Sequence, residues 1–161
     1  MISNKKGKII NFSGGGATFP RPNFSAYASS KAAIVRFTET IAEETKKYGI
    51  DINAVSPGSV YTKMIKEIIH AGKQSGKMDL DEAVKIKKSG GVSPEWPAKL
   101  SLFLASDASN GITGKLISAV WDNWNDFKKP ENVLKIKKSS LYTLRRVDGL
   151  KIIELKTASG S

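Results

Sequence analysis

Tyr27 and Lys31 stand four residues apart in the stretch SAYASSKAAIVRFTETIAEETKKY (25–48). On a helix that spacing sets a phenol and an ammonium on one face, a single turn from each other. A cation beside a phenol favours the ionised phenol, and a group so placed can trade a proton with an alcohol or carbonyl oxygen. The pair is a modest signal by itself, because four tyrosines among 22 lysines make Tyr-x-x-x-Lys easy to reach by chance. His70, the only histidine, sits in a polar stretch and reads as exposed. Trp96, Trp121 and Trp124 read as packing residues, not as a ligand cage. With no cysteine in the chain there is neither a disulfide framework nor a thiolate metal site, and no metal is expected.

The elements that must position the pair follow from the patterning. Ile34, Phe37 and Ile41 recur at steps of three and four, giving 25–48 the apolar stripe of a long helix. Ser25 is placed to cap it and Gly49 to stop it. Before it, GKIINF (7–12) reads as a buried strand entering the permissive turn Ser13-Gly14-Gly15-Gly16; after it, IDINAV (50–55) reads as a second strand closed by Ser56-Pro57-Gly58. Strand, helix and strand at this spacing make a right-handed βαβ unit with two parallel strands. The glycine loop 14–16, the Tyr27/Lys31 turn and the loop 56–62 then share the carboxyl end of the sheet, where ligands bind in such folds.

Further along, 63–92 reads as two short helices joined by AGKQSGK (71–77), an insert suited to a lid or substrate loop. Ser93-Pro94 opens another helix with proline at its first position and Leu100, Phe103 and Leu104 on its core face. KLISAV (115–120) reads as a third strand, which completes a β-α-β-α-α-α-β order. From Trp121 the character changes: KKPEN (128–132) reads as a linker. Leu141-Tyr142-Thr143-Leu144 and residues 150–155, with Asp148-Gly149 between them, read as a terminal hairpin.

Bulk properties bound the function classes. The 161 residues suffice for one core, and 40% hydrophobic with 25% charged is an ordinary globular composition. No apolar run approaches the ~20 residues of a membrane span, and MISNKKGKII lacks a signal-peptide core, so no membrane partner is expected and a reducing cytoplasm fits best. The net charge of +11 comes mostly from lysines scattered in pairs such as Lys46-Lys47 and Lys87-Lys88. Without a nucleic-acid motif or a run of stacking aromatics this is a solvated surface, and no nucleic-acid partner is expected.

The runs GKIINFS, YASSK, INAVSPGSVYT and SPEWPAKLSLFLASDASNGITGKLI, in this order and spacing, resemble the carboxyl half of the short-chain dehydrogenase/reductase family over about residues 1–120. The resemblance implies an α/β, partial Rossmann-like fold with three parallel strands and crossover helices, followed by a basic extension over 121–161. It implies an NAD- or NADP-dependent oxidoreductase interconverting a small-molecule alcohol and a carbonyl. Tyr27 looks like its general acid/base, and Lys31 like the residue that tunes the tyrosine and binds the nicotinamide ribose. Pro57 and Gly58 look like the turn beside the nicotinamide, Val60 like the backbone at its carboxamide, and Thr62 like a hydroxyl near it. The family's substrate-orienting serine lies thirteen positions before the tyrosine. That position is Gly14 here, with Ser13 one residue away as the catalytic candidate.

The family's glycine-rich first turn, its adenosine-ribose selector and its Asn-Asn-Ala-Gly strand end find no counterpart in this sequence. The expectation is a truncated representative, inactive alone or serving instead as an assembly module. Its strand 7–12, central in the family's sheet, would then need a second copy or a partner chain along its outer edge. The tail 121–161 is expected to help cover apolar surface.

Overall fold

The computed structural model describes residues 1–144. A parallel three-stranded sheet is built in the order β1 (Gly7–Phe12), β2 (Ile50–Ser56), β3 (Leu116–Ser118), with Gly7 opposite Ile50 and Ala54 opposite Leu116. The central strand buries Ile52, Asn53, Ala54 and Val55 in succession, the continuous pattern of a strand covered on both faces. Helix α1 (Ser25–Thr45) covers one face, where Ala42 meets Ile50 and Ile52. Helix α4 (Glu95–Ala105) covers the other, where Leu100, Phe103 and Leu104 meet Val55 and Ile117. Asn53 is the one fully buried amide on β2, and its side chain donates to the Ile112 carbonyl and accepts from the Lys115 N–H. That satisfies a polar group whose burial would otherwise be costly.

The helix of the Tyr27/Lys31 pair forms where expected and runs on through a 3-10 turn over Lys46–Tyr48 to Gly49, whose φ of +66° is left-handed. A Cβ there would lie 2.4 Å from the Lys5 carbonyl oxygen, so both conformation and space require glycine. Two details of this helix differ from the sequence expectation. Ser25 is its first residue instead of its cap; Phe24 occupies the cap position and makes no side-chain capping bond. The buried face is Val35, Thr38, Glu39 and Ala42, while Phe37 is exposed. Thr38 is drawn inward by the Asn11 amide at 2.9 Å, and Glu39 by the Leu144 N–H at 2.6 Å. Tertiary partners outweigh hydrophobic periodicity at this point.

The insert forms α2 (Lys63–Ala71) and α3 (Lys77–Ser89), joined by a 3-10 turn over Gly72–Ser75 and packed on each other through Ile65, Ile68, Ala83 and Ile86. Pro94 is the N-cap of α4, one residue before the first helical position expected for it.

The tail departs most from its reading. KKPEN is no linker: Pro130 opens α5 (Pro130–Lys138), following a 3-10 turn over Trp124–Lys128. Trp124, Phe127 and Ile136 enter the same core as Leu100, Phe103, Ile112 and Ile117. Leu141, Tyr142 and Thr143 form a turn, not the first strand of a hairpin, and 150–155 lie outside the described residues. That turn nonetheless lies along β3, where the Leu116 N–H donates to the Tyr142 carbonyl at 2.7 Å. The buried Lys115 ammonium donates to the carbonyls of Ser139 and Leu141. On the opposite side β1 is the outer strand, with Ile9 and Phe12 exposed.

Candidate active site

Beyond the carboxyl ends of the strands lies a crevice of about 1390 Å³. Ser13, Tyr27, Lys31, Pro57, Gly58, Val60 and Thr62, the residues singled out from the sequence, all line it. They come from the loop after β1, the first turns of α1 and the loop after β2, as parallel topology requires.

Lys31 and Tyr27 occupy one face of α1, the Lys31 ammonium lying 5.6 Å from the centre of the Tyr27 ring. Lys31 Nζ also donates to the Phe12 carbonyl at 3.3 Å, which ties it to the last residue of β1. The Tyr27 hydroxyl lies over Gly14. A Cβ built on that glycine would stand 2.5 Å from the phenol oxygen, so the side chain of any other residue would compete with Tyr27 for the same space. Ser13 is buried, and its hydroxyl donates to the Lys31 backbone carbonyl at 3.3 Å.

In the loop after β2, Gly58 has a φ of +81° and backs closely onto Val120, whose Cγ2 would lie 2.6 Å from a Cβ there. The Val60 N–H is held inside the turn by the Gly58 carbonyl at 3.0 Å. Thr62 is exposed at the entry to α2. His70 is exposed, as read, but of the three tryptophans only Trp124 is fully packed. Trp96 is half exposed, and Trp121 stands 85% exposed at the crevice beyond β3. Beside it, Asp122 accepts from the Ser118 N–H, and burial holds its carboxyl above the ordinary carboxylate range despite that bond. Tyr142 is pushed up as well, first by burial and then by the Asp122 charge.

Sequence reasoning missed one part of the site. Arg21, in the loop before α1, reaches across the crevice to Asp79 on α3, with Nε donating to Oδ1 at 2.7 Å. Its guanidinium lies 4.2 Å over the Phe24 ring and 5.4 Å over the Tyr27 ring. The partners are 58 residues apart, and no local spacing announces them. Among the described residues no cluster of His, Cys, Asp and Glu could hold a metal ion, and no helix is long and apolar enough to cross a membrane.

The family model described as enoyl-(acyl carrier protein) reductase matches residues 1–119. The chain belongs to the short-chain dehydrogenase/reductase family. Among curated relatives of this oxidoreductase family, the chain is 32% identical over 117 residues to the 3-oxoacyl-(acyl-carrier-protein) reductase FabG of Thermotoga maritima, covering 73% of this chain and 45% of that protein. It is 37% identical over 115 residues to the NAD-dependent glycerol dehydrogenase of Listeria innocua, covering 71% and 43%. Among solved structures, a gluconate 5-dehydrogenase from Burkholderia cenocepacia in complex with NADP and tartrate aligns with a TM-score of 0.60 at 25% identity, covering 73% and 44%. A short-chain dehydrogenase family protein from Francisella tularensis aligns with a TM-score of 0.57 at 32% identity, covering 69% and 48%. This short-chain dehydrogenase/reductase chain therefore spans under half the length of these relatives.

Proposed function

We propose that the crevice interconverts an alcohol and a carbonyl with NAD or NADP as redox partner. The observation that carries this reading is the approach of the Lys31 ammonium to the Tyr27 ring at the carboxyl end of a parallel sheet. When bound, the nicotinamide supplies or accepts the hydride. Tyr27 gives its proton to the carbonyl oxygen during reduction and recovers it during oxidation. Lys31 keeps a positive charge beside the phenol; with one N–H on the Phe12 carbonyl, its others are available to ribose hydroxyls. Pro57, Gly58, Val60 and Thr62 form the wall for the nicotinamide, Thr62 offering an exposed hydroxyl. Ser13 would have to leave the Lys31 carbonyl to orient a substrate.

The donor set fits the nicotinamide-ribose end of the cofactor. The pyrophosphate end finds no such fit among the described residues: the loop Gly14-Gly15-Gly16 opens no helix, since α1 begins only at Ser25.

Oxidation of NADH or NADPH with a carbonyl panel, followed by absorbance, tests this reading. Tyr27→Phe should lower the rate by about 10²–10⁴-fold with the circular dichroism unchanged. A Tyr27→Phe protein as fast as the parent would refute it.

One observation favours a second role, as an assembly module. Among the described residues no strand pairs with the outer edge of β1 beside exposed Ile9 and Phe12, and a second copy or a partner strand pairing there would cover both. Light scattering that finds a monomer throughout the micromolar range would remove self-association.

A further inference from the structure

The crevice is walled largely by apolar side chains: Met64, Ile65 and Ile68 on α2, Ala83 and Ile86 on α3, and Phe19 in the loop before α1. Its charged groups are mostly committed to the protein itself. Glu82 accepts from the Ser59 hydroxyl and Asp122 from the Ser118 N–H, while Lys31 donates one N–H to the Phe12 carbonyl and holds the others for the ribose. Lys77, at the start of α3, is exposed and screened by solvent. Arg21 is different. Its side chain is only 16% exposed, and its guanidinium lies 4.2 Å from the centre of the Phe24 ring and 5.4 Å from that of Tyr27.

A guanidinium so placed is a natural anchor for a carboxylate, because its planar fork matches the two oxygens. Here that anchor is filled. Asp79, itself 13% exposed, takes both Nε and a terminal nitrogen of Arg21 on a single carboxylate oxygen. The pair is neutral overall and leaves the wall without an available cation at that point.

We infer that Asp79 is a specificity-determining residue. By occupying Arg21 it turns the crevice towards uncharged alcohols and carbonyls with an apolar body and away from carboxylate substrates. The inference deepens the oxidoreductase reading and rests on it for the identity of the reacting group. An acid substrate would have to displace Asp79 and leave a second carboxylate unpaired in a largely buried place. A neutral ketone needs no such exchange, and its ring or chain meets the isoleucine and methionine wall.

The test uses two probes matched in ring and carbonyl, 4-methylcyclohexanone and 4-oxocyclohexanecarboxylate, with binding to the full chain read by saturation-transfer NMR titration. The parent chain should bind the methyl ketone about tenfold or more tightly than the carboxylate. Asp79→Asn, which keeps the shape and frees the guanidinium, should tighten carboxylate binding by about tenfold, and adding Arg21→Gln should abolish the gain. Preference of the parent for the carboxylate, no gain in Asp79→Asn, or binding of neither probe would each overturn the inference. The parent comparison decides it even if the variant does not fold. Binding needs no turnover, so the two readings fail separately. Selective binding with a Tyr27→Phe protein that reduces ketones at full rate sinks the proton-transfer role alone, and indifferent binding with a Tyr27-dependent rate sinks the selectivity alone.

Discussion

Replacing Phe127 by alanine tests whether the tail belongs to the same cooperative unit as the sheet. Phe127 is 4% exposed, packs within the main core, and meets the Tyr142 ring edge-on at 5.3 Å. Emptying such a site removes transfer energy and leaves a cavity, together about 3–5 kcal/mol, and the lost ring pair places the value towards the upper end. In a chain of this length each kcal/mol moves the midpoint by roughly 2–4 °C, so the melting temperature should fall by about 6–20 °C. Urea unfolding followed by tryptophan emission suits the measurement, since Trp124 sits in the same core and stacks on Phe103 at 6.3 Å. Leu134→Ala on the 57% exposed side of α5 is the control and should stay within about 0.5 kcal/mol of the parent. If Phe127→Ala and Leu134→Ala unfold at the same urea concentration, the tail does not share the core, and the packing argument for residues 121–144 is wrong.

Gly14→Ser restores a side chain where the family carries its serine, against a phenol oxygen 2.5 Å away. It should cost about 1–3 kcal/mol, and the loss should shrink in Gly14→Ser/Tyr27→Phe, whose missing hydroxyl reopens the space; simply additive losses in thermal melts would contradict the geometry. Asp122→Asn tests the raised carboxyl. The folded chain holds that proton more tightly than the unfolded one, so the contribution is favourable below the ordinary carboxylate range and is lost as pH rises through the raised value. Asparagine keeps an acceptor for the Ser118 N–H without the charge. The variant should match the parent near pH 3 and melt higher at pH 7, and a parent more stable at pH 7 would reverse the assignment.

The elements that build the crevice were legible because each carried a local signal. The isoleucine-rich strands, Gly49 at the helix stop and the two insert helices all follow from patterning within a dozen residues. The Tyr27/Lys31 pair was legible for the same reason, since a helix fixes the relation of positions four apart. What escaped depended on long-range partners. Glu39 turns inward because the tail supplies the Leu144 N–H, and Arg21 joins the crevice because α3 brings Asp79. KKPEN reads as a linker, yet proline is at home at a helix's first position, where Pro130 stands.

The Leu144 contacts have a consequence for biosynthesis. Its amide reaches Glu39 across 105 residues, and its carbonyl accepts from Arg36 across 108. A nascent chain therefore carries β1, α1 and β2 long before the last contacts on the sheet's far flank exist, and such distant closures are slow to form. Until Phe127, Ile136 and Tyr142 have folded back, the apolar face awaiting them stays open to other molecules, so a chain still lacking them is the form most exposed to misassociation.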